Sequence, residues 1–185
     1  MSAGSRIVLL NGVGSAGETS IAKALQTITS TPFLHIQMDT FVEMLPEALQ
    51  EHSDGFSFET VYESGKPVVV IRTGPIGKRA LRGMRHATAA MAQQGNNLIV
   101  DDVMLGNELE EYTDLLAPLG MYTVGVHAPL DVLEIRERQR GDRLIGLARW
   151  QYDRVHAGKT YDLEIDTSSA TPLECANLIK REFQL

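Results

Sequence analysis

A glycine-rich turn near the N-terminus constrains the fold of this chain more than any other feature of its sequence. The apolar run at residues 7–10 leads into the turn, and a segment with helical spacing follows it at residues 19–28. Strand, glycine-rich turn and helix in this order form the context that a Walker A phosphate-binding loop requires. In such a loop, backbone N–H groups point inward and the helix N-terminus contributes a positive dipole, so the pattern predicts an anion-binding cradle.

The spacing within the turn identifies the candidate residues. Gly12 and Gly17 match the two glycines of G-x-x-x-x-G, and Thr19 takes the position of the hydroxyl that ligates Mg²⁺. Glu18 stands where such enzymes have a lysine that neutralises the terminal phosphates during transfer. The predicted nucleotide-binding residues are Gly12, Val13, Gly14, Ser15, Ala16, Gly17, Glu18, Thr19 and Ser20.

Glu18 replaces an attraction for phosphate by a repulsion. Two unit charges about 4 Å apart interact by roughly 4 kcal/mol at an effective dielectric near 20, and a micromolar affinity amounts to only about 8 kcal/mol. The glutamate at the lysine position therefore predicts weak or absent ATP turnover. Three alternatives stay open: Glu18 points outward, another cation replaces the lysine, or ATP binds in a different pose. A glycine-rich turn without any ligand is the structural alternative.

The rest of the chain alternates between short apolar runs and segments of helical spacing. This alternation predicts βαβ units with right-handed crossovers, that is, a three-layer α/β/α fold around a five-stranded parallel sheet. The predicted strands are residues 7–10, 33–38, 98–100, 122–126 and 163–165, and the predicted helices are residues 19–28, 76–94, 108–116 and 130–140. Residues 51–73 break the rhythm and predict a loop or short hairpin, which either borders the ligand crevice or is a surface excursion without function.

Length, charge and cysteine content narrow the class of protein. The 185 residues suit a single domain over residues 1–185, and 43% of them are hydrophobic. A net charge of −7 argues against a nucleic-acid partner. Cys175 is the only cysteine, which excludes an intramolecular disulfide and favours a reducing compartment. No apolar run approaches the length of a membrane span, so we expect a soluble cytoplasmic protein without a membrane partner.

Carboxylates end two of the predicted strands. Asp101 and Asp102 follow residues 98–100, as in a Walker B element that brings an acid to Mg²⁺, although they could instead cap the next helix. Asp39 ends the second strand and is expected beside the end of the first. There it could accept a proton from a substrate hydroxyl. Its alternative role is to cap a helix that starts near Phe41.

A locally basic segment follows the fourth predicted strand. Arg136, Arg140 and Arg143 share one helical face, and arginines make bidentate contacts to phosphate oxygens. We therefore predict that they clamp a nucleotide as part of a small lid at about residues 136–150. The alternative is a solvated face whose arginines pair with neighbouring acidic residues.

Taken together, these residues resemble chloramphenicol phosphotransferase and its relatives, a branch of the P-loop nucleotide-kinase fold. The resemblance runs over nearly the whole chain and departs from the family pattern at Glu18. Its landmarks, in chain order, are Asn11-Gly12, Met38-Asp39-Thr40 with Glu43 and Pro46, Ile99-Val100-Asp101-Asp102-Val103, Arg140-Gly141-Asp142-Arg143, residues 152–156 and residues 161–167.

The resemblance implies ATP-dependent phosphorylation of a hydroxyl group on a small molecule, which confers antibiotic resistance in the namesake of the family. It implies that Asp39 is the general base, that the loop from Gly12 to Thr19 holds the nucleotide, and that the three arginines belong to the lid. Thr19 and Asp101 are the expected Mg²⁺ ligands. Substrate choice is expected in residues 51–73, and a homo-oligomer is left open.

Two other functions stay open beside this small-molecule kinase. One is a non-catalytic protein that kept the crevice to bind a nucleotide or another anion. The other is a toxin-type kinase that acts on a nucleotide sugar, which would share the fold and differ in its acceptor pocket.

Overall fold

The central β-sheet consists of five parallel strands: β1 (Arg6–Gly12), β2 (Phe33–Gln37), β5 (Asn97–Asp102), β6 (Gly120–His127) and β7 (Leu163–Asp166). They are described by a computed structural model, which covers residues 4–141 and 144–185. Across the sheet the strand order is β2-β5-β1-β6-β7. The first strand therefore lies in the middle, and the loop that follows it opens at the centre of the sheet's carboxyl edge.

Helices cover both faces of the sheet. They are α1 (Glu18–Ile28), α2 (Met38–Glu43), α3 (Pro75–Gln93), α4 (Glu108–Leu116), α5 (Leu130–Arg140), α6 (Leu147–Val155) and α7 (Pro172–Phe183). None of the helices in the described ranges has the length and apolar character that crossing a membrane requires.

The central strand β1 is buried on both sides, and its side chains alternate between two hydrophobic clusters. Val8 and Leu10 pack in the cluster that contains residues of α1 and α7. Ile7 and Leu9 pack in the cluster that contains residues of α3 and α4. Alternation is what a pleated strand dictates, and burial on both faces explains why β1 reads as an uninterrupted apolar run. The predicted three-layer α/β fold is confirmed.

All five predicted strands are present, and so are the four predicted helices. The helix α2 was expected only as a helix starting near Phe41, and within the described ranges α6 and α7 were missed. The last of these carries a signal that the sequence displays: Thr171 and Glu174 form a capping box, and Pro172 occupies the first helical turn. The helix α2 has only six residues, too few for a clear period.

Between α2 and α3 the chain forms an antiparallel hairpin of β3 (Phe56–Glu63) and β4 (Lys66–Thr73). Its two-residue turn, Ser64 and Gly65, has positive φ angles of 49° and 77°, as a tight hairpin turn requires. Of the two forms predicted for residues 51–73, the structure shows the hairpin. The N–H of Val69 donates to the carbonyl oxygen of Gly146 over 3.0 Å, so the hairpin docks at the start of α6.

Candidate active site

The loop between β1 and α1 turns tightly at the carboxyl edge of the sheet. Gly17 has a φ of 112°, in the left-handed region that favours glycine. Gly12 is required for a different reason, because a Cβ atom there would lie 2.7 Å from the carbonyl oxygen of Val126. Within the loop, the N–H of Ala16 donates to the carbonyl oxygen of Val13 over 2.8 Å. Gly12 and Gly17 thus allow the backbone to form a tight turn immediately before α1.

Glu18 points into this loop. Its side chain is buried, with 6% of the residue exposed, and its Oε2 accepts the N–H of Gly17 over 2.9 Å. Its Oε1 lies only 1.9 Å from the position that a Cβ atom of Gly12 would take, so the carboxylate rests against the Gly12 backbone. The alternative in which Glu18 swings outward is therefore wrong for this conformation.

A second side-chain oxygen reaches the loop from α6. Gln151 is buried, and its Oε1 accepts the N–H of Gly14 over 2.8 Å. No sequence pattern indicates this contact, because α6 was not predicted and a single glutamine carries no motif. The structure thereby connects α6 directly to the candidate phosphate site.

The predicted magnesium ligands lie side by side. Thr19 Oγ1 donates to Asp101 Oδ2 over 2.6 Å, and Gln37 Nε2 lies 3.4 Å from the same hydroxyl. His35 Nε2 approaches Asp101 Oδ2 at 3.5 Å. A hydroxyl and a carboxylate at the start of α1 and the end of β5 are the oxygen ligands that Mg²⁺ prefers. This donor set fits a magnesium ion.

The neighbouring Asp102 faces the opposite side of the sheet, as successive strand residues do. Its carboxylate accepts the N–H of Val103 over 2.8 Å and the hydroxyl of Tyr112 over 3.0 Å. Burial raises the pKa of Asp102 to about 6, partly offset by these two hydrogen bonds. Neither carboxylate caps the next helix, whose N-cap is Asn107, so that alternative is wrong.

Asp39 does not lie beside the end of β1, where it was predicted. The strand β5 lies between β2 and β1, so Asp39 follows a strand that is not adjacent to β1. It lies two residues beyond Gln37, which is in register with Asp101, and therefore stays on the same edge of the sheet as the Thr19–Asp101 pair. Asp39 belongs to the first turn of α2, with Gln37 as the N-cap, so the prediction of a cap for a helix starting near Phe41 is wrong.

Arg136 connects α5 with the loop after β1 and with the segment after β7. Its guanidinium group donates to the carbonyl oxygen of Thr167 over 2.6 Å, to Thr167 Oγ1 over 2.9 Å and to the carbonyl oxygen of Ala16 over 3.3 Å. Arg140 lies one helical turn further along α5. Arg143 falls outside the described residues.

A cavity of about 430 Å³ opens beside the loop. Its walls are residues 15–21, Arg136 and Arg140 of α5, Thr167 after β7, and Pro172 and Cys175 of α7. This volume is in the range of small-molecule sites. The structure thus brings the second half of the predicted loop together with two of the predicted arginines. The Asp39 and Asp101 carboxylates are not among the residues that line this cavity.

Several solved structures with the same fold are kinases. A sugar kinase from Janibacter superimposes with a TM-score of 0.69 at 18% identity, covering 97% of this chain and 95% of that one. The APS kinase of Mycobacterium tuberculosis, solved in complex with AMPPNP and APS, superimposes with a TM-score of 0.68 at 14% identity, covering 99% of each chain. The chain therefore has the fold of the P-loop kinases.

Sequence similarity identifies the family within this fold. The family described as chloramphenicol phosphotransferase-like protein matches residues 5–184. A protein of Mycobacterium tuberculosis, whose name describes it as a candidate O-phosphotransferase, is 30% identical over 185 residues, covering 97% of this chain and 82% of the relative. The chain belongs to the chloramphenicol phosphotransferase-like family, which confirms the resemblance seen in the sequence.

Proposed function

We propose that this chain has the active-site architecture of an ATP-dependent O-phosphotransferase whose acceptor is a hydroxyl group of a small molecule. We also propose that Glu18 keeps the rate of phosphate transfer low. The observation that carries the proposal is the Thr19–Asp101 pair, held at 2.6 Å next to the cradle and the cavity. A hydroxyl and an acid at this point are what a kinase of this fold needs to position a metal beside phosphate. Family membership supports the same reaction class.

The nucleotide is assigned to the cavity and the loop. The nucleoside end occupies the cavity beside Arg136 and Arg140, and the phosphate end points toward Thr19. Arg136 is fixed by three hydrogen bonds, so its planar guanidinium group is ready to contact a base or a phosphate oxygen. The AMPPNP bound to the APS kinase supports a nucleotide in this fold. When bound, ATP would supply the phosphoryl group, and Thr19 and Asp101 would hold a Mg²⁺ ion that offsets the negative charge of the phosphates.

The acceptor is assigned to the side of the crevice where Asp39 lies. Asp39 accepts the proton of the acceptor hydroxyl, and the hydroxyl oxygen forms a new bond to the γ-phosphorus of ATP while the bond from that phosphorus to the oxygen of the leaving ADP breaks. The hairpin follows α2, the helix of Asp39, in the chain, and it docks on α6 through Val69 and Gly146, so we assign substrate choice to the hairpin. The segment around residues 136–150 acts as the lid.

Glu18 is the residue that weakens this reaction. Its carboxylate lies where the terminal phosphates need a positive charge, and it already accepts the N–H of Gly17. At about 4 Å and an effective dielectric near 20, the repulsion by one unit charge amounts to roughly 4 kcal/mol. This is enough to reduce the rate and the affinity for ATP by orders of magnitude.

Transfer of labelled phosphate from ATP to a panel of hydroxyl compounds, with chloramphenicol as one candidate acceptor, tests the proposal. We expect transfer close to background in the natural sequence and clear transfer after Glu18→Lys, because the lysine restores the missing charge. The double variant Glu18→Lys with Asp39→Asn serves as the control and should lose the gain. Equally high transfer with and without the lysine would contradict the role of Glu18.

The second candidate function is a non-catalytic protein that binds a nucleotide or another anion. The observation that favours it is the occupation of two loop N–H groups by Glu18 and Gln151. Calorimetry with ATP and Mg²⁺ separates the kinase from a binder of another anion, and the phosphate-transfer assay separates it from a non-catalytic binder of nucleotides. A non-catalytic binder of another anion shows no heat of ATP binding even after Glu18→Lys, whereas the kinase architecture binds ATP once the lysine is present.

A further inference from the structure

Two oxygen atoms of the protein itself already accept N–H groups of the phosphate loop. Glu18 Oε2 accepts the N–H of Gly17 over 2.9 Å, and Gln151 Oε1 accepts the N–H of Gly14 over 2.8 Å. Inward-pointing N–H groups of this kind are the donors that a phosphate chain uses in such a loop. The loop therefore carries internal substitutes for two phosphate contacts.

The two internal oxygens differ in how readily a ligand could replace them. Gln151 is neutral, so a phosphate oxygen could take its place at Gly14 without an electrostatic penalty. Glu18 carries a charge, and its carboxylate is packed against the Gly12 backbone with only 6% of the residue exposed. Interactions between like charges are strongest in such buried surroundings, where water screens them least. A terminal phosphate must either displace Glu18 or lie beside it.

The cavity beside the loop remains open, although Glu18 is one of the residues that line it. Its walls include Arg136, Arg140 and Thr167, and Arg136 is held in place by the carbonyl oxygens of Thr167 and Ala16. This space of about 430 Å³ is suited to the nucleoside part of a nucleotide, with a planar guanidinium group and both polar and apolar walls. The part of the site for a nucleoside is thus intact, whereas the part for the terminal phosphates is filled.

We infer that this crevice binds nucleosides and nucleoside monophosphates at least as tightly as the corresponding triphosphate. The inference rests on the assignment of the cavity to a nucleotide in the proposed function. It extends that function, because it identifies the class of ligand that the natural sequence selects. A kinase that relied on its loop would show the opposite order, since each added phosphate would gain N–H contacts.

Calorimetry on the full chain with adenosine, AMP, ADP and ATP, at constant excess Mg²⁺, tests this order. In the natural sequence we expect the affinity to stay level or fall from AMP to ATP. Glu18→Lys should raise the affinity for ATP by about 100-fold or more, because an attraction replaces a repulsion of similar size. The affinity for adenosine should stay within about threefold, because adenosine carries no phosphate charge on which the side chain at position 18 could act.

Glu18→Gln is the matched control, since it keeps the shape of the side chain and removes its charge. It should raise the affinity for ATP to an intermediate value, whereas Gln151→Ala should change it far less than either Glu18 variant. If Glu18→Lys fails to fold, as judged by circular dichroism, the comparison of Glu18→Gln with the natural sequence decides. ATP that binds tenfold more tightly than AMP to the natural sequence would overturn the inference, and so would the absence of adenosine binding.

The outcomes separate this inference from the proposed function. If the natural sequence prefers ATP and Glu18→Lys transfers phosphate, the inference fails and the proposed function stands. If the natural sequence prefers AMP or adenosine and Glu18→Lys transfers no phosphate to any acceptor, the inference stands and the proposed function fails.

Discussion

At the scale of single residues, adjacent positions on one strand serve different purposes. Asp101 points toward the start of α1 and accepts the hydroxyl of Thr19, whereas Asp102 points to the opposite face of the sheet and accepts the hydroxyl of Tyr112. The sequence alone could not separate them, because both follow the same apolar run. The pleat of β5 decides which carboxylate is available to a metal and which one is buried.

The burial of Asp102 has a consequence for stability. Its pKa rises from 3.8 to about 6, so the folded state binds its proton more tightly than the unfolded state. Its contribution to the free energy of unfolding is therefore fully present below about pH 4 and is lost as the pH rises to about 6. A shift of this size corresponds to about 3 kcal/mol. Asp102→Asn should remove this pH dependence, so the variant should gain stability relative to the natural sequence between pH 4 and pH 7.

Urea unfolding at several pH values measures this difference. Tyr112→Phe is the companion variant, because it removes a hydrogen bond that favours the ionised carboxylate and should move the transition to higher pH. A difference between Asp102→Asn and the natural sequence that stays constant from pH 4 to pH 7 would contradict the interpretation.

At the scale of elements, Gly146 joins the hairpin to α6. Its φ is 104°, and a Cβ atom there would lie 2.4 Å from the carbonyl oxygen of Pro67. Gly146→Ala should therefore add a clash with β4 to the strain of a left-handed backbone, which alone costs roughly 1–2 kcal/mol. We expect the variant to lose more than that and to release the hydrogen bond from Val69 to Gly146.

Gly158→Ala provides the control for the backbone strain alone. Gly158 also has a positive φ, of 69°, and a Cβ atom there would meet nothing within 4 Å. Urea unfolding should show a larger loss for Gly146→Ala than for Gly158→Ala. Hydrogen exchange should show faster exchange at the N–H of Val69 in the first variant only. Equal losses and an unchanged exchange rate would argue that the hairpin does not depend on this contact.

At the scale of the whole molecule, local patterns predicted most of the architecture, and contacts between distant residues escaped them. The five strands and the phosphate loop follow from apolar runs and glycine spacing, which are local. The position of β5 between β1 and β2 depends on how the chain crosses over the sheet, which no local pattern encodes. Because of this position, Asp39 at the end of β2 does not lie next to β1. The contact of Gln151 with Gly14 spans 137 positions of the chain, and no local pattern encodes it.

The hairpin, α6 and the loop after β1 form a continuous series of contacts through Val69, Gly146, Gln151 and Gly14. Under the proposed function, a hairpin exchanged to suit a new acceptor would also disturb the loop backbone that we assign to the nucleotide. We therefore expect acceptor range and nucleotide preference to change together, and grafting a relative's hairpin onto this chain should require the start of α6 from the same donor.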